Sequence, residues 1–359
     1  MNIKKKVIAT EDCTRVGEEL FFIAKDINII CKMNIVSGEV LIVDSLPEED
    51  LLGKRLGSKI VFYNDELFFA PMEAKKIWRY NLKNRSWKGY ERKVIDNWSP
   101  RGEMFQAICY KHKVFFVGAI YPAIIVLDLE KDELDYIETP FAKNKKIAEI
   151  KKDGYFRTDY VQIDNTIYLA SCLTNEVIKF NLETYETVFI EVGAKDNCYA
   201  GIAYDGKEFY LAPRRVSPIV VWDGLKSYRE LNLPNELISK DGCIFGGIVC
   251  KDGNTYLPAC FQATSLIINT IDKEINNIVK KQYHFHKFIG EETYVSLDYE
   301  GDMNIYEPSQ HYQHVLSIDV EHVNTYMKNR NLLKNSKSGI IREIEFVNLE
   351  VFLETVINM

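Results

Sequence analysis

The chain has 359 residues, 47% hydrophobic and 27% charged, which is the composition of a folded protein and excludes a disordered one. Lys+Arg 45 against Asp+Glu 52 leaves a formal charge of −7, which argues against a general nucleic-acid binder, since such proteins carry a basic surplus. Length alone suggests two domains, and an aromatic share of 12% leans toward strands over helices.

At the N-terminus, MNIKKKVIATEDC places only Val7, Ile8 and Ala9 behind its lysines, far short of a secretory apolar core. No stretch approaches the roughly 20 apolar residues of a membrane-spanning helix. Eight cysteines are scattered and none forms C-x-x-C; most lie in apolar runs such as AICY, LASC and GIVC. They read as reduced core residues of a cytoplasmic protein, with no disulfide, zinc or other cofactor expected.

Further along, one pattern recurs seven times, from ELFFIAKDINIICKMNI through ELFFAPMEAKKIWRYNL to NIYEPSQHYQHVLSIDV. Each copy has an aromatic anchor: Phe22, Phe69, Phe116, Tyr168, Tyr210, Tyr256 and Tyr306. Each ends on an Asn or Asp: Asn34, Asn81, Asp128, Asn181, Asp223, Asn269 and Asp319. By subtraction, the anchor leads its Asn or Asp by 12 residues in the first three copies and by 13 in the other four. An apolar strand precedes each anchor strand across a hairpin signal such as YNDE, YDGKE or KDGN. A third strand closes on the Asn or Asp, and segments such as WKGYERKV and TVFIEV supply an outer fourth.

Four short antiparallel strands repeated every ~40–50 residues are the pattern of a propeller blade. The helical segments a barrel or doubly wound sheet needs between its strands are missing. The expected fold is all-β: a seven-bladed β-propeller over 1–319 with a helical and strand extension over 320–359 packed on it. One ring therefore absorbs the length that suggested two domains. The third strand of the last copy is expected to end at Asp319, so a fourth must come from elsewhere. The segment 3–9 is the favoured source and 340–346 the alternative. After Asp319, residues 320–333 read as helical, and Leu349, Phe352, Leu353, Val356 and Ile357 fall on one face of a second helix.

The second copy carries YNLKNRSW, with Tyr80 and Trp87 at the tyrosine–tryptophan separation of a kelch repeat, and FNLETYETV at 180–188 echoes it without the Trp. In this the chain resembles kelch-like propellers, across about 12–319. It lacks that family's glycine doublet after each second strand; its one Gly-Gly, Gly246-Gly247, falls in a first strand. The resemblance implies a family used mostly to bind proteins or glycans, with some enzymes. It carries no catalytic residue onto this chain.

In a propeller, the loops joining strands two and three and those joining blades gather around one end of the central channel. The candidate binding residues are therefore Trp98, Arg101, Tyr121, Arg157, Tyr199, Arg214, Arg215, Phe261, Gln262 and His286, with Asp159 and Tyr155 in the same loops. Aromatics mixed with Arg suit a protein hot spot or an acidic glycan. His284 and His286 share a strand face, but no partner ligand stands at a matching spacing, so no metal is expected. The lysines around 143–152 read as a solvated loop. Nucleophile, P-loop and zinc-protease motifs are absent. The expected role is a non-catalytic scaffold for a protein, peptide or acidic glycan. The alternative is a lyase or hydrolase at the channel mouth. An enzyme should bury converging titratable groups at that mouth, whereas a binding module should show an exposed apolar patch there.

Overall fold

The recurring Asn or Asp shapes each unit. Asn34, Asn81, Asp128, Asn181 and Asn269 each accept, through Oδ1, the backbone N–H groups two and three residues on, and Asp223 those two and four on. Such a side chain satisfies donors that a tight turn would otherwise leave open, so the chain reverses there. Four residues beyond the Asn or Asp, Gly38, Arg85, Asp132, Tyr185 and Lys273 take left-handed backbone (φ from 56° to 70°) and start the outer strand.

A computed structural model describes residues 5–93, 103–146, 148, 154–234, 243–259, 264–277, 283–290 and 292–337, the last seven as backbone only. It forms seven four-stranded antiparallel sheets, each built from four consecutive strands, arranged as a propeller. The blades span 14–44, 57–91, 104–137, 161–191, 199–231, 249–277 and 283–315. A two-stranded sheet pairs Lys5–Val7 with Ser317–Asp319, Lys5 facing Asp319. The helix Val320–Lys337 follows directly. The other closing segment considered, 340–346, and the second helix expected over 349–357 lie outside the described residues. No helix among the described residues is long and apolar enough to cross a membrane.

Two details of the repeat come out differently. Glu19, Glu66, Lys113, Thr166 and Asn254 pair with Asn34, Asn81, Asp128, Asn181 and Asn269, a constant 15 residues. The split into 12 and 13 reflects the first three copies, where two adjacent Phe stand on the strand and the count begins at the second. The last copy is out of frame by one strand. Tyr306 lies on the third strand of its blade, Asp302–Tyr306, while Thr293–Asp298 is the second and His311–Val315 the fourth. Both hairpin signals of that blade contain Gly, GEE and YEGD, so turn chemistry alone does not tell one from the other. The blade thus completes itself, and Lys5–Val7 stays outside it. Asp319 instead caps the helix, its Oδ1 accepting the Glu321 N–H at 2.9 Å.

The core lies between blades. Successive residues of a strand face opposite ways, so each Phe-Phe doublet serves two interfaces. Phe68 packs between blades two and three and Phe69 between one and two; Phe115 and Phe116 repeat this one blade on. The seam between blades seven and one is filled by Phe22, Cys31, Met33, Val295, Leu297 and Ile305, and Leu316, Ile318 and Val323 extend it under the helix. The helix is held to blade one by Tyr326, whose hydroxyl donates to Ser45 Oγ at 3.0 Å, and by Arg330, 3.3 Å from Asp44.

At the channel, side chains tie the blades to one another. Asp12 is 3% exposed; its Oδ1 lies 2.8 Å from Lys287 Nζ of blade seven, and its Oδ2 accepts the Ile60 N–H of blade two at 3.0 Å. Ser58 donates to the Met104 carbonyl. Gln106 Nε2 donates to the carbonyls of Arg157 and Asp159, at 2.8 and 3.1 Å. Asp159 Oδ2 accepts the Ile248 N–H of blade six at 2.7 Å. Between blades six and seven, Lys251 Nζ lies 5.0 and 5.1 Å from the rings of Tyr306 and Tyr294.

Removing Asp12 leaves two partly buried lysines without their anion and opens the seam, whereas losing one turn cap is local. Asp12→Ala is expected to cost about 3–5 kcal/mol and Asn81→Ala about 1 kcal/mol, read from urea unfolding midpoints. Equal losses would show that the seam does not depend on Asp12.

Candidate functional site

The innermost strands of the blades enclose a channel of ≈ 700 Å³, within the range of small-molecule sites. Four of these strands carry a bulge at the same place, between Gly57 and Lys59, Met104 and Gln106, Tyr199 and Gly201, and Tyr283 and Phe285. A bulge re-aims the side chains around it. It falls where each strand leaves its inter-blade loop, so the channel mouth on that side becomes polar. Asp12, Lys59, Gln106, Asp159, His286 and Lys287 line it. Farther down, the lining turns aromatic with Phe62, Tyr204 and Phe288.

Asp159 is set by close packing. A Cβ at Gly201 or Gly247 would stand 2.4 or 2.5 Å from its Oδ2, so only glycine at both places lets the carboxylate reach the Ile248 N–H. The Gly-Gly pair lies just before the first strand of blade six rather than in it, and its second member, Gly247, makes room for an acid. Surrounding protein pushes the Asp159 carboxyl up from 3.8 to about 6, against the pull of the Ile248 N–H and of Lys59. His286 is pushed down from 6.5 to about 4, by burial first and by Lys59 second. It is neutral at pH 7, and its buried Nε2 has no hydrogen-bond partner among the described residues; neither has Gln106 Oε1. Cys13, behind Asp12, is pushed up to about 12 by burial and is an inert thiol.

The rim residues expected from the sequence separate into groups. Trp98, Arg101, Phe261 and Gln262 lie outside the described residues. Tyr121 and Tyr199 are buried between blades, their hydroxyls donating to the carbonyls of Lys93 and Val192. Neither offers a contact surface, because a phenol that close to the ring's core must spend its polar end on backbone. Arg214 Nη1 donates to the Cys172 carbonyl of the preceding blade at 3.1 Å, a packing role. Arg215 is exposed, and Arg157 lends its carbonyl to Gln106. Of the described residues expected at the rim, His286 and Asp159 line the channel.

Sequence reasoning passes over Asp12, Lys59, Gln106 and Lys287, although a signal for three of them exists. Asp12, Lys59 and Gln106 are 47 residues apart in turn, in phase with the repeat; Lys59 and Gln106 stand third in the first strands of their blades and Asp12 two residues before its own. As to metal ligands, His112, Asp128 and Glu130 come together in turns at the other end of blade three, but Asp128 already spends Oδ1 on two backbone N–H groups. Asp298, Glu300 and Asp302 form a second such group in blade seven.

No family model and no curated protein matches this chain. Solved structures do. Virginiamycin B lyase from Staphylococcus aureus, in a catalytically inactive form with quinupristin, aligns over 83% of this chain and 96% of its own at TM-score 0.60 and 13% identity. BamB from Moraxella catarrhalis aligns over 83% and 84% at 0.56 and 12%. YCF48 from Cyanidioschyzon merolae aligns over 85% and 99% at 0.57 and 11%. At such identities the likeness is to the seven-bladed propeller architecture and does not reach the narrower kelch-like repeat.

The two perturbed groups act on stability with opposite sign. Asp159 holds its proton more tightly folded than unfolded, so it favours the fold increasingly as pH falls from about 6 toward 3.8. His286 holds its proton less tightly folded, so its contribution is lost as pH falls from 6.5 toward about 4. Asp159→Asn should therefore raise the melting temperature at pH 7.5 and lose that advantage below pH 4. His286→Gln should flatten the acid-side loss. Parallel melting curves for wild type and Asp159→Asn from pH 4 to 8 would refute the assignment.

Proposed function

We propose that the protein is a ligand-binding propeller that works through the polar mouth of its channel rather than through its rim loops. The observation that carries this is the convergence of Asp159, His286, Lys59 and Lys287 on one drug-sized cavity, with two of these groups driven far from their ordinary pKa. A protein partner on the rim draws less support, because Tyr121, Tyr199 and Arg214 are committed to packing. The ligand is a small polar molecule or the end of a peptide or glycan chain, with its less polar part against Phe62, Tyr204 and Phe288.

A second reading rests on Asp159. A carboxylate whose pKa is about 6, beside a lysine, is poised to take and return a proton near neutral pH. That supports a lyase or hydrolase acting on the same ligand, and the lyase that shares this architecture is inactive in a form with one histidine replaced by alanine. Binding is the reading with fewer requirements, since Asp159 also ties blades four and six together.

Native mass spectrometry of gently purified protein tests the location. Gln162 is exposed and lines the channel, so Gln162→Trp should block it and abolish retention of a co-purifying small molecule, while Arg215→Ala should retain it fully. The reverse pattern would return the site to the rim. Release of a compound whose mass differs from the one supplied, in wild type but not in Asp159→Asn, would favour the catalytic reading.

A further inference from the structure

One buried carboxylate holds two lysines side by side at the channel mouth. Asp12 Oδ1 lies 2.8 Å from Lys287 Nζ and 3.7 Å from Lys59 Nζ, so the two ammonium nitrogens are at most 6.5 Å apart, the sum of those distances. The lysine side chains are 14% and 25% exposed while Asp12 is 3% exposed, so both cations face the cavity and their shared anion lies behind them. Two positive charges against one negative leave a surplus of one within a protein whose net charge is −7. In a cavity walled by protein that surplus is screened far less than it would be at the surface.

We propose that Lys59 and Lys287 form a cradle for an anionic oxyacid group on the channel ligand (a carboxylate, sulfate or phosphate ester) and that Asp159 is the internal anion that competes with it. The inference rests on the channel being the working site. Asp159 lines the same cavity and feels Lys59. When ionised it cancels the surplus; when protonated it leaves the cradle with a net positive charge. The other groups around the cradle do not confuse this balance. His286 is neutral above about pH 4, and burial holds Cys13, Tyr160 and Tyr294 in their neutral forms through the same range. Asp12 is tied to both lysines. The exposed-loop arginines that a sequence reading favours for an acidic ligand are therefore replaced by two lysines from the innermost strands of blades two and seven.

Sulfate is a suitable probe, because its charge is constant between pH 5 and 8. Calorimetric titration of the full chain should show sulfate binding about tenfold or more tighter at pH 5 than at pH 7.5, as the binding-competent protonated fraction of Asp159 grows. Lys59→Met, which leaves Asp12 its pair with Lys287, should weaken binding at least tenfold at pH 5. Asp159→Asn should bind at pH 7.5 nearly as tightly as wild type does at pH 5, with a flat profile. That variant also separates Asp159 from the general loss of negative charge on acidification, which it shares with wild type. Equal sulfate binding by wild type and Lys59→Met, or an Asp159→Asn profile as steep as wild type's, would overturn the proposal. A small molecule whose retention depends on Gln162 but which sulfate does not displace would sink the anion cradle and leave the channel site standing. Retention insensitive to Gln162→Trp would sink the channel site itself, whatever sulfate does.

Discussion

A ring of complete blades has to be closed without a shared strand. Here every blade is built from four consecutive strands, so no main-chain ladder among the described residues runs from the last blade into the first. At the axis, closure falls to side chains at the seam. Asp12 stands where blade one meets blade two and blade seven, accepting a backbone N–H from one and holding a lysine of the other. The apolar filling beneath it supplies most of the burial, but apolar contact is non-directional and does not set which edge meets which. An ion pair on a buried carboxylate does, because losing its lysine strands the Asp12 charge away from water. The small sheet of Lys5–Val7 with Ser317–Asp319 and the helix after it clamp the outside of the same seam.

The closure device and the candidate site share the same atoms. Edge-to-edge contact at the axis of a propeller leaves a channel, and the groups that lace the blades together there line it. Asp12, Gln106 and Asp159 each commit hydrogen bonds to other blades. What remains is the charge of Lys59, the perturbed carboxyl of Asp159 and the neutral imidazole of His286, all fixed by the packing of the inner strands. A site built in this way is preorganised by the fold's own need to close, so little ordering cost is left to binding.

Much of the architecture is legible in the residues. The turn-capping Asn and Asp recur because a four-residue reversal needs a local acceptor, and six of the seven do what their position implies. The Phe-Phe doublets are legible too, since alternation along a strand forces the two rings into different interfaces. The last copy slips by one strand because consecutive hairpins use the same turn chemistry, and only pairing distinguishes them. The site is legible in phase but not in place. Asp12, Lys59 and Gln106 keep the 47-residue interval of the repeat, yet a polar residue near a strand start reads equally well as solvated.

Taken alone, the chain determines an all-β ring of seven repeated units, because turn chemistry, strand alternation and aromatic anchors are local properties that each unit carries within itself. Only the tertiary structure decided which polar residues meet. Lys59 and Lys287 are 228 positions apart and share one carboxylate. Gly201 and Gly247 belong to different blades and together admit Asp159 from a third. Those contacts exist because the ring closes, and closure brings together residues that no local pattern relates. The length that first suggested two domains is the circumference of one ring, and the charged groups that line its channel stand at the axis.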